Sequence, residues 1–480
     1  MRSLTTVLFI VSLGLCQASL AEDQPQTLTL SLAEFVKLSQ QQSFEAMQYQ
    51  RNRLPQQLQL DIAEQRFHPV LELYSKLGRE QKDLYSTTYI NNHTSGIDST
   101  ASVAWLLPTG ANLSLDYQYQ HGLTHGLTSL GIPESKQHNI TTTFRIDQPI
   151  IGGLWQNQQR LPQQKTQYQW QYYQLQGKLL TLQTQQESLA AFLDFQEQVD
   201  LVKLLKESHQ YSQFRTQATK ARLDEGQVVK AELLYAQLDE HQRLTELKKA
   251  QDELLLIQQK ISARINSHLP IALAPMLSMQ SLDQCTLFTS VSTATQQITT
   301  HPDYQLSKLN VDIAHNDYRQ TRFNLWPQIN LFYQNTDKDQ LLTQNTSEQS
   351  WGIEASYKPI NTASKLSQQQ AKSDWINASY TLEAKHLEMQ KDLNLLIKSR
   401  RQLEEQLALT QQGEALSKQA YLHVEERHQH GVDSVLDVKA AQNEWVQQQR
   451  NTLSALKALL NNRFALQTQT GLLMPLEHCL

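Results

Sequence analysis

Metal ligation is the first chemistry to test, and His423, His428 and His430 form the densest group among the 15 histidines. No cysteine or carboxylate completes a zinc-type ligand spacing around them, so they read as solvated residues near a helix end. Acyl and phosphoryl chemistry find no foothold either. There is no Gly-rich phosphate loop, no HExxH and no Gly-x-Ser-x-Gly elbow, so no catalytic or cofactor-binding residues are assigned and the chain reads as a non-enzyme. What remains is a pair of carboxylates in matched surroundings. Glu232 and Asp437 each stand six residues past a glycine that is alone in a long helix-favouring stretch. Gathered around a pore, such carboxylates would form a ring of like charge that favours cations and disfavours anions, an effect that should weaken in acid. The bland alternative is an acidic residue placed near a helix N-terminus by the dipole.

The surroundings match because the pattern is duplicated. Arg222, Gly226, Glu232, Ala236 and Gln237 recur in order as Arg427, Gly431, Asp437, Ala441 and Gln442. A lone glycine between runs of Gln, Leu, Glu, Lys and Ala predicts a tight reversal, because glycine reaches left-handed backbone angles without a Cβ clash. The repeat extends further. Arg66-Phe-His-Pro69 is followed by an alternating run, as is Asn324-Leu-Trp-Pro327, and Gln148-Pro149 matches Lys358-Pro359. Each half therefore reads helix, strands, long helix, glycine turn, helix, and the internal repeat dictates the fold class.

The helices are long. From Gly152-Gly153 to the first turn runs a stretch whose only proline, Pro162, lies at its start, giving roughly 110 Å of helix, and Ser364 to His430 gives roughly 100 Å. Apolar residues at Leu189, Phe192, Val199 and Val202, and at Leu244, Leu247, Leu254, Ile257 and Ile261, step by coiled-coil intervals. Return helices are expected from Val228 to His268 and from Val432 to about Arg463, with opening helices Ser31–Arg66 and Asp303–Asn324. The strand runs have a different period. Leu113, Leu115, Tyr117 and Tyr119 alternate with Asn112, Ser114, Asp116 and Gln118, as an outer-membrane barrel strand requires. Residues 69–76, 100–107, 140–147, 328–335 and 350–357 are similar, and Leu107-Pro108-Thr109-Gly110 reads as a hairpin turn between two of them. Six strands are too few to close a wide barrel alone, and open edges are not tolerated in lipid, so several protomers must share it.

The N-terminus carries Arg2, an apolar run from Val7 to Leu15 and a small-residue site ending at Ala21, the pattern of a secretory signal peptide. Loss of Arg2 leaves 41 Lys and Arg against 47 Asp and Glu. That mild acidity argues against a nucleic-acid partner. Beyond the leader no apolar stretch is long enough for a transmembrane helix. Cys285 and Cys479 then remain, and an oxidising compartment permits them to pair. The domain reading is 1–21 signal peptide, 22–269 first repeat, 270–284 linker, 285–470 second repeat and 471–480 tail.

The leader, the repeated proline-to-strand transitions, Gln148-Pro149 and both glycine turns together resemble the TolC family of outer-membrane efflux and secretion channels. The resemblance covers nearly the whole mature chain. It implies a mainly α homotrimer with membrane β: a periplasmic α-barrel and a shared β-barrel in the lipid of a Gram-negative outer membrane. Its helical tips, here Asp224, Glu225, Gly226, Gln227, Val228 and Val229 with His430, Gly431, Val432, Asp433, Ser434 and Val435, would meet a periplasmic adaptor joined to an inner-membrane pump. Glu232 and Asp437 would then lie near the periplasmic mouth. Two departures stand out: four strands in the first repeat where two are usual, and Asp433 where some members carry a basic residue. The rival reading is an exported coiled-coil structural protein or adhesin, which explains the helices but not the alternating strands.

Overall fold

The computed structural model describes residues 28–85, 89–125, 135–151, 158–267, 271–273, 298–340, 346–358 and 360–471. The leader, Cys285, Cys479 and most of the tail lie outside the described residues. The chain divides into two compact units, residues 1–43, 188–282 and 411–457 in one and 44–187, 283–410 and 458–480 in the other. Each unit draws on both repeats.

In the first unit, β1 (Leu28–Leu30) pairs in parallel with β6 (Ile271–Leu273). The latter strand falls inside the expected linker, and three residues are too few for a period to announce it. Helix α1 (Leu32–Gln42) starts at a capping box, Ser31 and Glu34 each bonding the other's backbone N–H, and buries Phe35 and Val36. It ends at Ser43, whose extended backbone breaks the single opening helix expected over 31–66. Helix α3 (Leu161–Asp224) runs into this unit, as do α4 (Lys230–Arg264), the end of α6 (Thr362–Gln429) and most of α7 (Val435–Gln469). Leu204 and Leu205 of α3, Leu247 and Ala250 of α4, and Val446 of α7 form its apolar seam, flanked by Leu201 and Val202.

The second unit holds the other helices, α2 (Phe44–Gln65) and α5 (Pro302–Phe323), and one six-stranded sheet. Its strands are β2 (Val70–Tyr85), β3 (Tyr89–Leu106), β4 (Asn112–His125), β5 (Ser135–Pro149), β7 (Gln328–Gln340) and β8 (Thr346–Ser356). Every neighbour is antiparallel and the order follows the chain. The β3–β4 hairpin turns at Leu107–Ala111, where Gly110 adopts φ +88° and Gln148 Nε2 donates to the Thr109 carbonyl at 3.2 Å. The hairpin is therefore part of the six-stranded sheet.

Register separates the two faces. Leu71, Val103, Leu115 and Phe144 share one row, and Ile353, Leu331, Trp351 and Tyr333 continue that face. All eight side chains are well exposed. Glu72, Ser102, Asp116, Thr143, Thr336 and Glu348 form a row on the opposite, polar face. There Arg145 holds Asp147 through two bonds of 2.7 Å and donates to Gln334 at 3.2 Å. One apolar and one hydrated face is the division that separates lipid from a water-filled lumen. No helix among the described residues is long and apolar enough to cross a membrane.

Candidate functional site: the paired helical tips

Both glycine turns close the same way. At the first, Gln227 N–H donates to Arg222 C=O at 2.8 Å and Gly226 N–H to Leu223 C=O at 2.9 Å; at the second, Val432 donates to Arg427 at 3.0 Å and Gly431 to His428 at 2.9 Å. This is a Schellman cap, which needs a left-handed residue. Gly226 and Gly431 supply it at φ +74° and +75°. Nothing lies within 4 Å of a Cβ built at either glycine, so the residue is required for its backbone angle and not for space. The duplicated arginine is the residue whose carbonyl receives the longer-range bond.

The arginine side chains have diverged. Arg222 crosses to the other hairpin and donates to the His428 and Gln429 carbonyls at 3.3 and 2.9 Å, satisfying the C-terminal end of α6. Arg427 instead folds back on Asp433 at 2.9 Å, and His428 Nδ1 lies 2.8 Å from the Asp433 carbonyl. Asp433, the departure noted from sequence, is thus an internal brace of the second turn.

Asp224, Glu225, Gly226, Gln227 and Val229 are exposed, as are His430, Gly431, Val432 and Ser434. Val228 and Asp433 are half-buried. Val435 is buried at 2% exposure. It packs inward at the start of α7 and so leaves the surface that a partner could touch. Glu232 and Asp437, six residues past their glycines, lie only in the first turns of α4 and α7, because each reversal uses the residues up to Val229 and Ser434 before the helix begins. Asp437 closes a capping box: its Oδ2 accepts from Ser434 N at 3.0 Å and Ser434 Oγ at 2.7 Å. The Ser434 hydroxyl, then its backbone N–H, holds the Asp437 carboxyl below the usual range. Glu232 is half-buried, and the Val229 cap of its helix has no side-chain bond. The histidine group does not converge. His423 is exposed while His428 is buried, and no group of three potential ligands is found among the described residues.

Behind the tips lies a buried ionic cluster that sequence reasoning missed. Arg215 of α3, 4% exposed, donates to Asp239 of α4 at 3.3 Å and to Gln442 of α7 at 3.0 Å, with Glu425 of α6 at 3.6 Å. Asp239 also faces Arg243 at 3.7 Å and Lys439 at 3.8 Å. Gln442 Nε2 donates to Ser208 Oγ at 3.1 Å. Beside it Tyr421 stacks on Trp445 with centroids 5.2 Å apart. Burial, then the neighbouring Glu425, pushes the Tyr421 hydroxyl up to about 12. Gln442 was visible as part of the repeated Ala-Gln pair, but its copy Gln237 is exposed. The repeat alone could not say which one was buried.

Four long helices joined in pairs by capped reversals, and a sheet with one apolar and one polar face, are the features that an outer-membrane channel requires. The sequence agrees: residues 294–472 match the family model described as "Outer membrane efflux protein", which covers most of the second repeat. Over that segment the chain is similar to this family. Its fold is similar to the CusC channel at TM-score 0.70 and 11% identity, over 94% of this chain and 95% of that one. It is similar to VceC of Vibrio cholerae at 0.67 and 11%, over 92% and 96%. MtrE of Neisseria gonorrhoeae, captured in its open state, matches at 0.66 and 14%, over 92% and 88%. No curated protein matches the sequence.

Proposed function

We propose that three copies of this chain close a common barrel in a Gram-negative outer membrane and serve as the passive exit duct of an efflux or type I secretion assembly. The observation that carries this is the sheet: among the described residues its β2 and β8 edges are unpaired, while one face is apolar. In lipid such edges must be satisfied, and further copies of the same sheet satisfy them. The helices agree. Leu366, Tyr380, Leu387, Leu395, Leu409 and Leu416 form an exposed apolar stripe along α6 at intervals near seven or its double, suited to a neighbouring helix. Energy comes from an inner-membrane pump, through a periplasmic adaptor that meets the exposed tips.

The test is the purified protein's mass and its behaviour in planar bilayers. A detergent-requiring trimer that conducts supports the duct; a species soluble without detergent supports the rival coiled-coil spacer. Gly226→Trp or Gly431→Trp should then abolish transport while trimers still assemble, and unaffected transport would remove the docking assignment. Asp437 uses only Oδ2 in its cap, so Oδ1 remains available to the lumen, and with Glu232 it would favour cations at the mouth. Asp437→Asn combined with Glu232→Gln should lower cation preference, and an unchanged preference would place selectivity elsewhere.

A further inference from the structure

The two repeats contribute unequally to the wall. The second supplies one hairpin, β7–β8, while the first supplies a four-stranded meander, β2–β5, hydrogen-bonded without interruption. A plain duplication would give two strands per repeat. The additional hairpin is integrated: β3 and β4 pair through fourteen residues, and their turn is fixed to Gln148 where β5 leaves the sheet. Its outward residues, Val103, Trp105, Leu115 and Tyr117, are apolar and continue the lipid face.

We infer that this hairpin widens the membrane exit by about half, so that the β-barrel is no size filter for bulky cargo such as a polypeptide with its helices formed. The inference rests on the trimeric duct proposed above. For a closed barrel the width follows from strand number, a spacing of about 4.8 Å and a tilt of about 40°. Eighteen strands give about 36 Å between backbones, whereas twelve would give about 24 Å. Side chains extending about 5 Å from each wall leave clear bores of about 26 and about 14 Å. A helix with its side chains is about 10–12 Å across, so the narrower bore would just pass one and the wider would pass a helical pair. Sorting by size then falls to other parts of the duct.

Polymer exclusion tests this on the whole protein. Trimers in planar bilayers are exposed, first from the extracellular side only, to polyethylene glycols of graded hydrodynamic diameter. Entry into the outer vestibule raises the resistance of that segment in series with the rest, and the same polymers added from the periplasmic side report the contribution of the other end. Polymers that fill the eighteen-strand bore should enter. A cut-off at the twelve-strand bore in a verified trimer would overturn the wide exit while leaving the duct intact. An assembly of another stoichiometry, read from its mass, would overturn the parent reading first. A second variant removes β3 and β4 and joins Tyr85 to Ser135 through a short polar loop. Where it assembles, its cut-off should fall to the twelve-strand bore, and an unchanged cut-off would equally refute the role given to the hairpin.

Discussion

Asp239 offers the sharpest test of the bundle behind the tips. It is buried at 1% exposure and faces three cations, Arg215 at 3.3 Å, Arg243 at 3.7 Å and Lys439 at 3.8 Å. At an effective dielectric near 20 each such pair is worth about 4–5 kcal/mol before desolvation is subtracted. Removing the carboxylate leaves two guanidiniums, each 4% exposed, without their buried counter-charge. Asp239→Ala should therefore destabilise the bundle by about 3–5 kcal/mol, the range for breaking a buried pair from one side. Asp239→Leu together with Arg215→Met removes charge from both sides and should recover most of that loss. The readout is amide exchange in α3 around Arg215 and in α4 around Ala236 and Leu247, which reports local opening even where the whole assembly unfolds irreversibly. A single variant no worse than the double would refute the reasoning, because the charges would then act independently.

His301 caps α5 with its ring, Nδ1 accepting from Asp303 N–H at 3.1 Å, and burial lowers its pKa. A depressed imidazole favours the neutral folded form, so its contribution is present above the ordinary value near 6.5 and weakens as pH falls below it. Amide exchange in α5 should accelerate below that pH, while His301→Asn should keep the cap and flatten the profile. In the sheet, a Cβ on Gly96 would stand 2.3 Å from the His121 carbonyl oxygen, whereas Gly78 has nothing nearer than 3.8 Å. Gly96→Ala should sharply reduce assembled trimer and Gly78→Ala should not, as read by heat-modifiable gel mobility. At the tips, Gly226→Ala and Gly431→Ala should each cost about 1–2 kcal/mol for the left-handed angle, with Gly→Asn milder, measured by exchange at the adjoining helix ends.

The architecture was legible because its signals are long. A 3.5-residue apolar step over α3 and α4, a strict alternation over β4 and two isolated glycines leave little freedom for another fold. The strands proved longer than their alternation suggested: β3 begins at Tyr89, not Thr100. Asn91, Asn92, His93, Thr94 and Ser95 are polar at every position, so the period disappears, yet pairing continues in the register that the apolar half has set. The ionic cluster was illegible for the opposite reason. Arg215, Asp239 and Arg243 sit among Gln, Glu and Lys on helices that look solvated all round. Only the packing of α3, α4, α6 and α7 turns those positions inward.

The duplication also explains why the two tips need not behave alike. Both keep the element that the backbone demands, an arginine carbonyl closing on a left-handed glycine. Everything not demanded by the backbone has diverged. The second turn is braced within itself by Arg427 on Asp433, His428 on the Asp433 carbonyl and Asp437 on Ser434. The first has an uncapped valine at the start of its returning helix, and its arginine is committed to the other hairpin's carbonyls. Local bonds therefore fix the second turn, whereas the first is held mainly through its neighbour. Any rearrangement that parts the two hairpins must break the Arg222 bonds and leave those carbonyls to water, while the internal shape of the second turn survives. The shared half of the motif builds a reversal, and the diverged half decides which reversal is rigid and which depends on the pair staying together.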